Sequence, residues 1–478
     1  MDKDQAKSYG FISFVGVTMS MVANVRSIPT IAATGWQQIC YLLFAVLCFA
    51  LPVCFIAGEF GSSFPGNGGP QLWVKKGINS KWGFVIAWLL WAQMFPGLIM
   101  VTSTLGPLVG QIFGKPSLAN NHWFMFICIL VTTWIITILS FKFNIAKICG
   151  KYGVWIGVYI PVIVLIILGI FATIKIGLRP DGYLGPFSWH KVVPELTNIH
   201  TLTYFSAIIF LFTGIELTSV YIPQLKDYKK NYIKGVFFSL LLIVCLNIIN
   251  GMMVSNIVPK GTIELSNISQ PVLIYCEILH LPTWIANIFA FLVASGVVLQ
   301  LSSWINGPCH TISQVAREGY LPAKWGFHKT NEFDISKNLL WTQIIIFTIF
   351  ACLYAIAKNV NVMFITLTNA ASILYMLVYI IMAIALLNLR KKAPNLERPF
   401  KIGGSKSKGN GMAWFVSVVL WLAILMVFIS ILVSNSIANI ILVAIISIGL
   451  FIIPLIISKF KKPEWLEQVN KDLNKKSN

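Results

Sequence analysis

The sequence predicts an all-α polytopic membrane protein of about twelve transmembrane helices. Three observations carry that prediction. Hydrophobic residues make up 57% of the 478 and charged residues only 11%, and mean hydropathy is +0.79, far above a soluble domain. The apolar residues fall into runs that, at roughly 20 residues per helix, cross a hydrocarbon core ~30 Å thick. Positive charges gather in alternate connections between those runs, which is the bias that orients a chain in a bilayer.

The first run, Gly10–Ala33, carries Arg26 and, three residues on, Pro29, which has no N–H to donate and crowds the preceding turn. Its full length and lack of a small-residue cleavage site mark it as a span rather than a cleaved leader. Gln37–Gly58 follows. The glycine-rich stretch Gly61–Gly69 lacks the Lys and Ser/Thr of a phosphate loop and reads as a connection. Trp82–Phe113 holds Gln93 and Pro96, and His122–Phe143 and Val154–Ile176 complete the first five. Thr201–Ile222 is the second interrupted run, with Gly214 two residues before Glu216; glycine permits close approach or unwinding. Tyr232–Ile257, Leu281–Trp304, Leu339–Ala357 and Val362–Leu387 come next, then Met412–Ser434 and Ile437–Phe460. The lysine-rich tail, residues 461–478, is expected to be a short frayed end.

The interrupted runs are the first and the sixth. Two five-helix repeats, residues 10–176 and 201–387, produce that spacing, with 412–460 as two added helices. An odd number of helices per repeat forces the second repeat into inverted orientation. The longest polar segments, Arg179–Thr201, Ala316–Asn338 and Arg390–Gly411, are too short for an independent core. The chain therefore reads as one membrane domain.

A net charge of +20 in a soluble protein would point to nucleic acid. Here the charges follow topology. With the N-terminus inside, one set of connections holds Lys75, Lys76 and Lys81; Lys142, Lys147 and Lys151; and Lys226, Lys229, Lys230 and Lys234. It continues with Arg317, Lys324, Lys329 and Lys337, then Arg390, Lys391, Lys392, Arg398 and Lys401. The opposite set holds only Lys115, Lys260, Lys358 and, between the fifth and sixth runs, Arg179 and Lys191. The expectation is a multi-pass protein of the plasma or inner membrane with both termini cytoplasmic and no nucleic-acid partner. The nine scattered cysteines show no CxxC or Cys/His spacing, so they read as packing residues, and no metal or cofactor is expected.

The candidate site is built at the two interruptions. An ionisable residue deep in a span normally faces a partner or a water-filled cavity, and paired breaks in early and middle helices are the sign of a transport site. Around Pro29 the helix is expected to open over Ala23, Asn24, Val25 and Arg26. The freed N–H groups, at the positive end of a half-helix, suit a carboxylate. Glu216 is the only acidic residue deep in a run, Glu59 lying at the end of its own. It serves either proton or cation coupling, or as a fixed counter-ion for Arg26. Gln300 and Trp304 lie one turn apart on one helix face, where an amide and an indole either touch a ligand or make a helix–helix contact. Tyr375 and Asn369 are lesser candidates of the same kind. An enzyme is not expected. No Ser/His/Asp arrangement appears, and His122, His190, His200, His280, His310 and His328 lie near helix ends or in connections.

The stretch Ser20-Met21-Val22 through Pro29-Thr30, with Ala32-Ala33-Thr34-Gly35, resembles the amino acid–polyamine–organocation transporters, in particular the glutamate:γ-aminobutyrate antiporter branch. So do Gly214-Ile215-Glu216, Ser303-Trp304 with Gly307-Pro308, and Arg398-Pro399-Phe400-Lys401-Ile402 before Gly403-Gly404. The resemblance implies an inverted-repeat, LeuT-like fold with alternating access and an amino-acid site between the first, third, sixth, eighth and tenth helices. It implies that Ala23, Asn24 and Val25 receive the substrate carboxylate, and it matches Glu216 and Tyr375 to an acidic residue and a tyrosine of the sixth and tenth helices. Three positions depart from the branch. Arg26 stands where glutamate-exchanging relatives have a tyrosine, Gln300 where they have a glutamate, and His310 replaces an arginine. The tail is also too short for the folded C-terminal plug of some relatives, so plug-based pH gating is not carried over.

The first functional reading is an exchanger of an amino acid, glutamate- or tyrosine-like, against a related amino acid or its decarboxylated amine. Arg26 favours a substrate with an anionic or polar side chain unless Glu216 neutralises it. The alternative is a proton-coupled uptake permease in which Glu216 titrates.

Overall fold

A computed structural model of the chain describes residues 10–64, 69–142, 155–194, 202–331, 335–357, 359–404 and 409–477. Lys147, Cys149, Lys151, His200, Lys358 and residues 65–68 of the glycine-rich connection lie outside the described residues. Among the described residues the chain is helical, and the β pairing found there is one isolated bridge between Gly182 and Pro259.

Ten helices among the described residues are long and apolar enough to cross a membrane. They are Gly35–Ser63, Ser80–Ile112, His122–Phe141, Trp155–Ile176, Lys230–Ile257, Trp284–Arg317, Lys337–Ala355, Val360–Lys392, Gly411–Val433 and Ile437–Lys459. The two expected spans missing from that set are the first and the sixth, and both are broken. The first consists of Phe11–Val22 and Ile28–Ala32. The sixth consists of Phe205–Phe210 and the 3-10 stretch Ile215–Gln224.

The causes of the breaks are local. Ala23 turns extended (ψ 128°) and closes the first half with its N–H on the Met19 carbonyl at 2.7 Å. The Asn24 side-chain oxygen then accepts the Ser27 N–H at 3.1 Å, a turn that asparagine makes readily. Pro29 falls in the first turn of the second half, where its missing N–H has no intrahelical partner to lose. The Ser255 hydroxyl donates to the Ala32 carbonyl at 2.6 Å, which ties this short helix to the seventh span. In the sixth span Gly214 has φ +87°, a left-handed conformation that costs other L-residues about 1–2 kcal/mol.

Two expectations need correction. The eighth span does not stop at Trp304 but runs to Arg317 through Pro308. The added turns bury Cys309, Ile312, Val315 and Ala316, so packing sustains a helix that Gly307-Pro308 would end in isolation. The tail is not frayed: Pro463–Ser477 is helical. Its Val469 is fully buried, and the Asp472 carboxylate lies 2.8 Å from Lys329 Nζ and 3.1 Å from His328 Nε2. Glu59 lies in the last turns of its helix, as expected, but away from water. It is 1% exposed and accepts hydrogen bonds from Arg390 Nε (2.9 Å), Arg390 Nη2 (2.5 Å) and the Ile402 N–H (2.9 Å). Arg398 Nε stands 3.2 Å from the same carboxylate. The connection after the tenth span is thereby strapped across the end of the second. The eight described cysteines are free thiols.

Candidate substrate cavity

Unwinding at two places leaves a space between the helices that meet there. A cavity of about 580 Å³ lies among the first, third, sixth, eighth and tenth spans, within the range usual for small-molecule sites. Ala23, Asn24, Arg26, Gly214, Glu216, Gln300, Trp304 and Tyr375 all line it, as does Gln93. Val25 is not among them: it is 1% exposed and belongs to the apolar core. Pro96 and His310 do not line the cavity. Nor does Asn369, whose side-chain oxygen accepts the Ser206 hydroxyl at 2.5 Å.

The first break offers backbone donors. The Ala23 N–H is taken by Met19, and the Asn24 side-chain oxygen accepts from Ser27. Among the described residues, the N–H groups of Asn24, Val25 and Arg26 have no acceptor. Unpaired N–H groups at the start of a half-helix are chemically suited to an anion.

The second break is held by a residue that sequence reasoning passed over. Tyr379, fully buried, accepts the Gly214 N–H at 2.9 Å and donates to Glu216 Oε2 at 2.7 Å. One phenol therefore fixes both the opened backbone and the carboxylate that follows it. The signal available was spacing: Tyr379 lies one turn after Tyr375, on the same helix face. The two rings stack at 5.8 Å, and Phe210 meets Tyr375 edge-on at 6.0 Å.

The two charges do not pair. No ion pair within 4.0 Å joins Arg26 to Glu216. Glu216 Oε1 and Arg26 Nη1 are both buried without a hydrogen-bond partner, and the Arg26 guanidinium stands 5.7 Å over the Trp304 ring. The cavity thus presents one acidic and one basic group, each short of a partner, between mostly apolar walls.

The family model for amino acid permeases matches residues 9–465, nearly the whole length. The chain belongs to the amino acid permease family. The permease is similar to an uncharacterized transporter of Legionella pneumophila, 28% identical over 404 residues that cover 83% of this chain and 84% of the relative. It is also similar to the glutamate/gamma-aminobutyrate antiporter of Lactococcus lactis, 27% identical over 443 residues, 91% of this chain and 85% of the relative. Among solved structures it resembles a manganese transporter of Eremococcus coleocola, with a TM-score of 0.57, 14% identity, and coverage of 96% of this chain and 95% of the other. That likeness bears on fold alone, and the fold it supports is the LeuT-like one. It is a transporter and not an enzyme.

Proposed function

We propose that the permease is a secondary active transporter that exchanges an amino acid for a related amino acid or its decarboxylated amine by alternating access. The observation that supports this best is the convergence of both helix breaks on one cavity lined by a carboxyl, a guanidinium, and Asn24, whose backbone N–H has no acceptor among the described residues. A zwitterion needs partners of both signs, and the cavity supplies them. In this reading the N–H groups of Asn24 and Val25 receive the α-carboxylate, and Gly214, Gln300, Trp304 and Tyr375 shape the remainder. The similarity to a glutamate/gamma-aminobutyrate antiporter favours exchange over one-way uptake. Residues 10–176 and 201–387 form the two inverted repeats, 412–460 an addition, and both termini face the cytoplasm of a cell whose plasma or inner membrane holds the protein.

Counterflow in proteoliposomes tests this. Exchange requires substrate inside the vesicle and persists without a pH gradient; uptake into empty vesicles at the same rate contradicts it. A second reading, proton-coupled uptake, has one specific observation in its favour: Glu216 Oε1 is buried with no hydrogen-bond partner among the described residues, so that oxygen is available to carry a proton. That reading requires transport to collapse with the pH gradient.

A further inference from the structure

Arg26 poses an energetic problem that the protein does not solve by itself. Its side chain is 9% exposed, and no carboxylate among the described residues comes within 4.0 Å of it. Nη1 has no hydrogen-bond partner, and Trp304, the ring beneath the guanidinium at 5.7 Å, offers a π face but no acceptor. Guanidinium keeps its proton under all ordinary conditions, so the group cannot escape by becoming neutral. A buried charge left without a counter-charge costs several kcal/mol. The one acid that lines the same cavity among the described residues, Glu216, is turned to Tyr379 instead. The missing counter-charge therefore enters with something that occupies the cavity.

We infer that Arg26 is the selectivity residue of this transporter and binds a second anionic group of the substrate, a side-chain carboxylate in its ionised form. The inference rests on the reading of the cavity as an amino-acid site. Two anion positions lie close together in the chain: the free N–H groups of Asn24 and Val25 at the break, and the guanidinium one residue further on. An α-carboxylate occupies the first. A substrate with another carboxylate fills the second, and guanidinium–carboxylate pairs are among the strongest hydrogen-bonded contacts a protein makes. Gln300, also on the cavity wall, is a neutral amide, so it adds no negative charge that would repel such a group.

The test is exchange by the purified full-length permease in proteoliposomes, with labelled glutamate, glutamine, aspartate and asparagine offered as acid and amide pairs in chloride and in gluconate. The wild type is expected to prefer each acid over its amide by about 10- to 100-fold, the worth of a charged hydrogen bond. Arg26→Gln is expected to bring the ratio near one while amide exchange survives, and Arg26→Lys to restore part of it. An unchanged ratio in Arg26→Gln overturns the inference, as does a wild type that does not discriminate acid from amide. Exchange that needs chloride whatever the side chain also overturns it, in favour of a co-bound inorganic anion at Arg26. If Arg26→Gln does not fold, the wild-type ratio and the Arg26→Lys variant decide alone, because a lysine keeps the charge but loses the planar fork. Absence of exchange with all four compounds and with labelled tyrosine strikes the amino-acid reading itself, whereas exchange of tyrosine alone, or exchange without acid preference, strikes only Arg26.

Discussion

Glu59→Gln isolates the strap between the second and tenth spans. The carboxylate accepts hydrogen bonds from Arg390 at 2.9 and 2.5 Å and from the Ile402 N–H at 2.9 Å, with Arg398 at 3.2 Å. The side chains of Glu59, Arg390 and Arg398 are only 1%, 2% and 5% exposed. Removing one partner of a buried ion pair costs about 3–5 kcal/mol because the other charge stays buried. Glutamine keeps one acceptor oxygen, which places the variant at the low end, about 3 kcal/mol. Mid-sized domains lose about 2–4 °C in melting temperature per kcal/mol, and larger chains less, so a drop of about 5 °C is expected. Thermal unfolding in detergent, followed with a thiol-reactive dye that reports exposure of the buried Cys54, Cys276 and Cys309, measures it. Lys75→Ala is the control: it breaks a pair to Glu318 at 2.8 Å whose side chains are 32% and 29% exposed, and such pairs are worth about 0–1 kcal/mol. Melting of Glu59→Gln within about 1 °C of wild type, or no lower than Lys75→Ala, would refute the argument that this carboxylate holds two guanidinium groups out of water.

Three further outcomes follow from the same geometry. Gly214→Ala forces a β-carbon into φ +87° at a cost of about 1–2 kcal/mol, so transport is expected to fall severalfold while the protein still elutes as a monodisperse species; full transport would mean the break can refold around alanine. Tyr379→Phe deletes the hydroxyl that serves both Gly214 and Glu216, and loss of a hydrogen bond to a carboxylate, about 1.5–3 kcal/mol, predicts at least a tenfold loss in exchange rate at unchanged expression. At the tail, hydrogen bonds from Lys329 and then His328 hold the Asp472 carboxyl below its usual range. The sign is that of a depressed acid: the contribution to docking is present above the ordinary aspartate value of about 4 and is lost as pH falls through the lowered value. Asp472→Asn is therefore expected to loosen the tail helix at neutral pH, seen as faster proteolysis beyond Lys461, and equal cleavage of both proteins would count against the contact.

Much of this molecule was legible along the chain because a bilayer makes strong local demands. A span needs a long apolar run, its backbone must satisfy its own hydrogen bonds, and a charge or a proline that defies those demands stands out. Arg26 with Pro29 and Gly214 with Glu216 were visible for that reason, and the structure breaks the helices at both places. The tail helix was hidden by its polarity, since the partners that order it, His328 and Lys329, lie more than a hundred residues away. The extension of the eighth span past Pro308 was hidden by a punctuation rule that packing overrode.

Run length, charge bias and the positions of the two interruptions follow from the sequence, because each depends on residues within a turn or two of one another and on the solvent around them. Pairing does not. That Arg26 and Glu216 stay apart, that Tyr379 rather than Arg26 takes the carboxylate, and that Glu59 meets arginines 331 and 339 positions later were decided only when the helices packed. Hydrogen bonds and ion pairs are made over about three ångströms, and which distant residues come that close is a property of the assembled bundle.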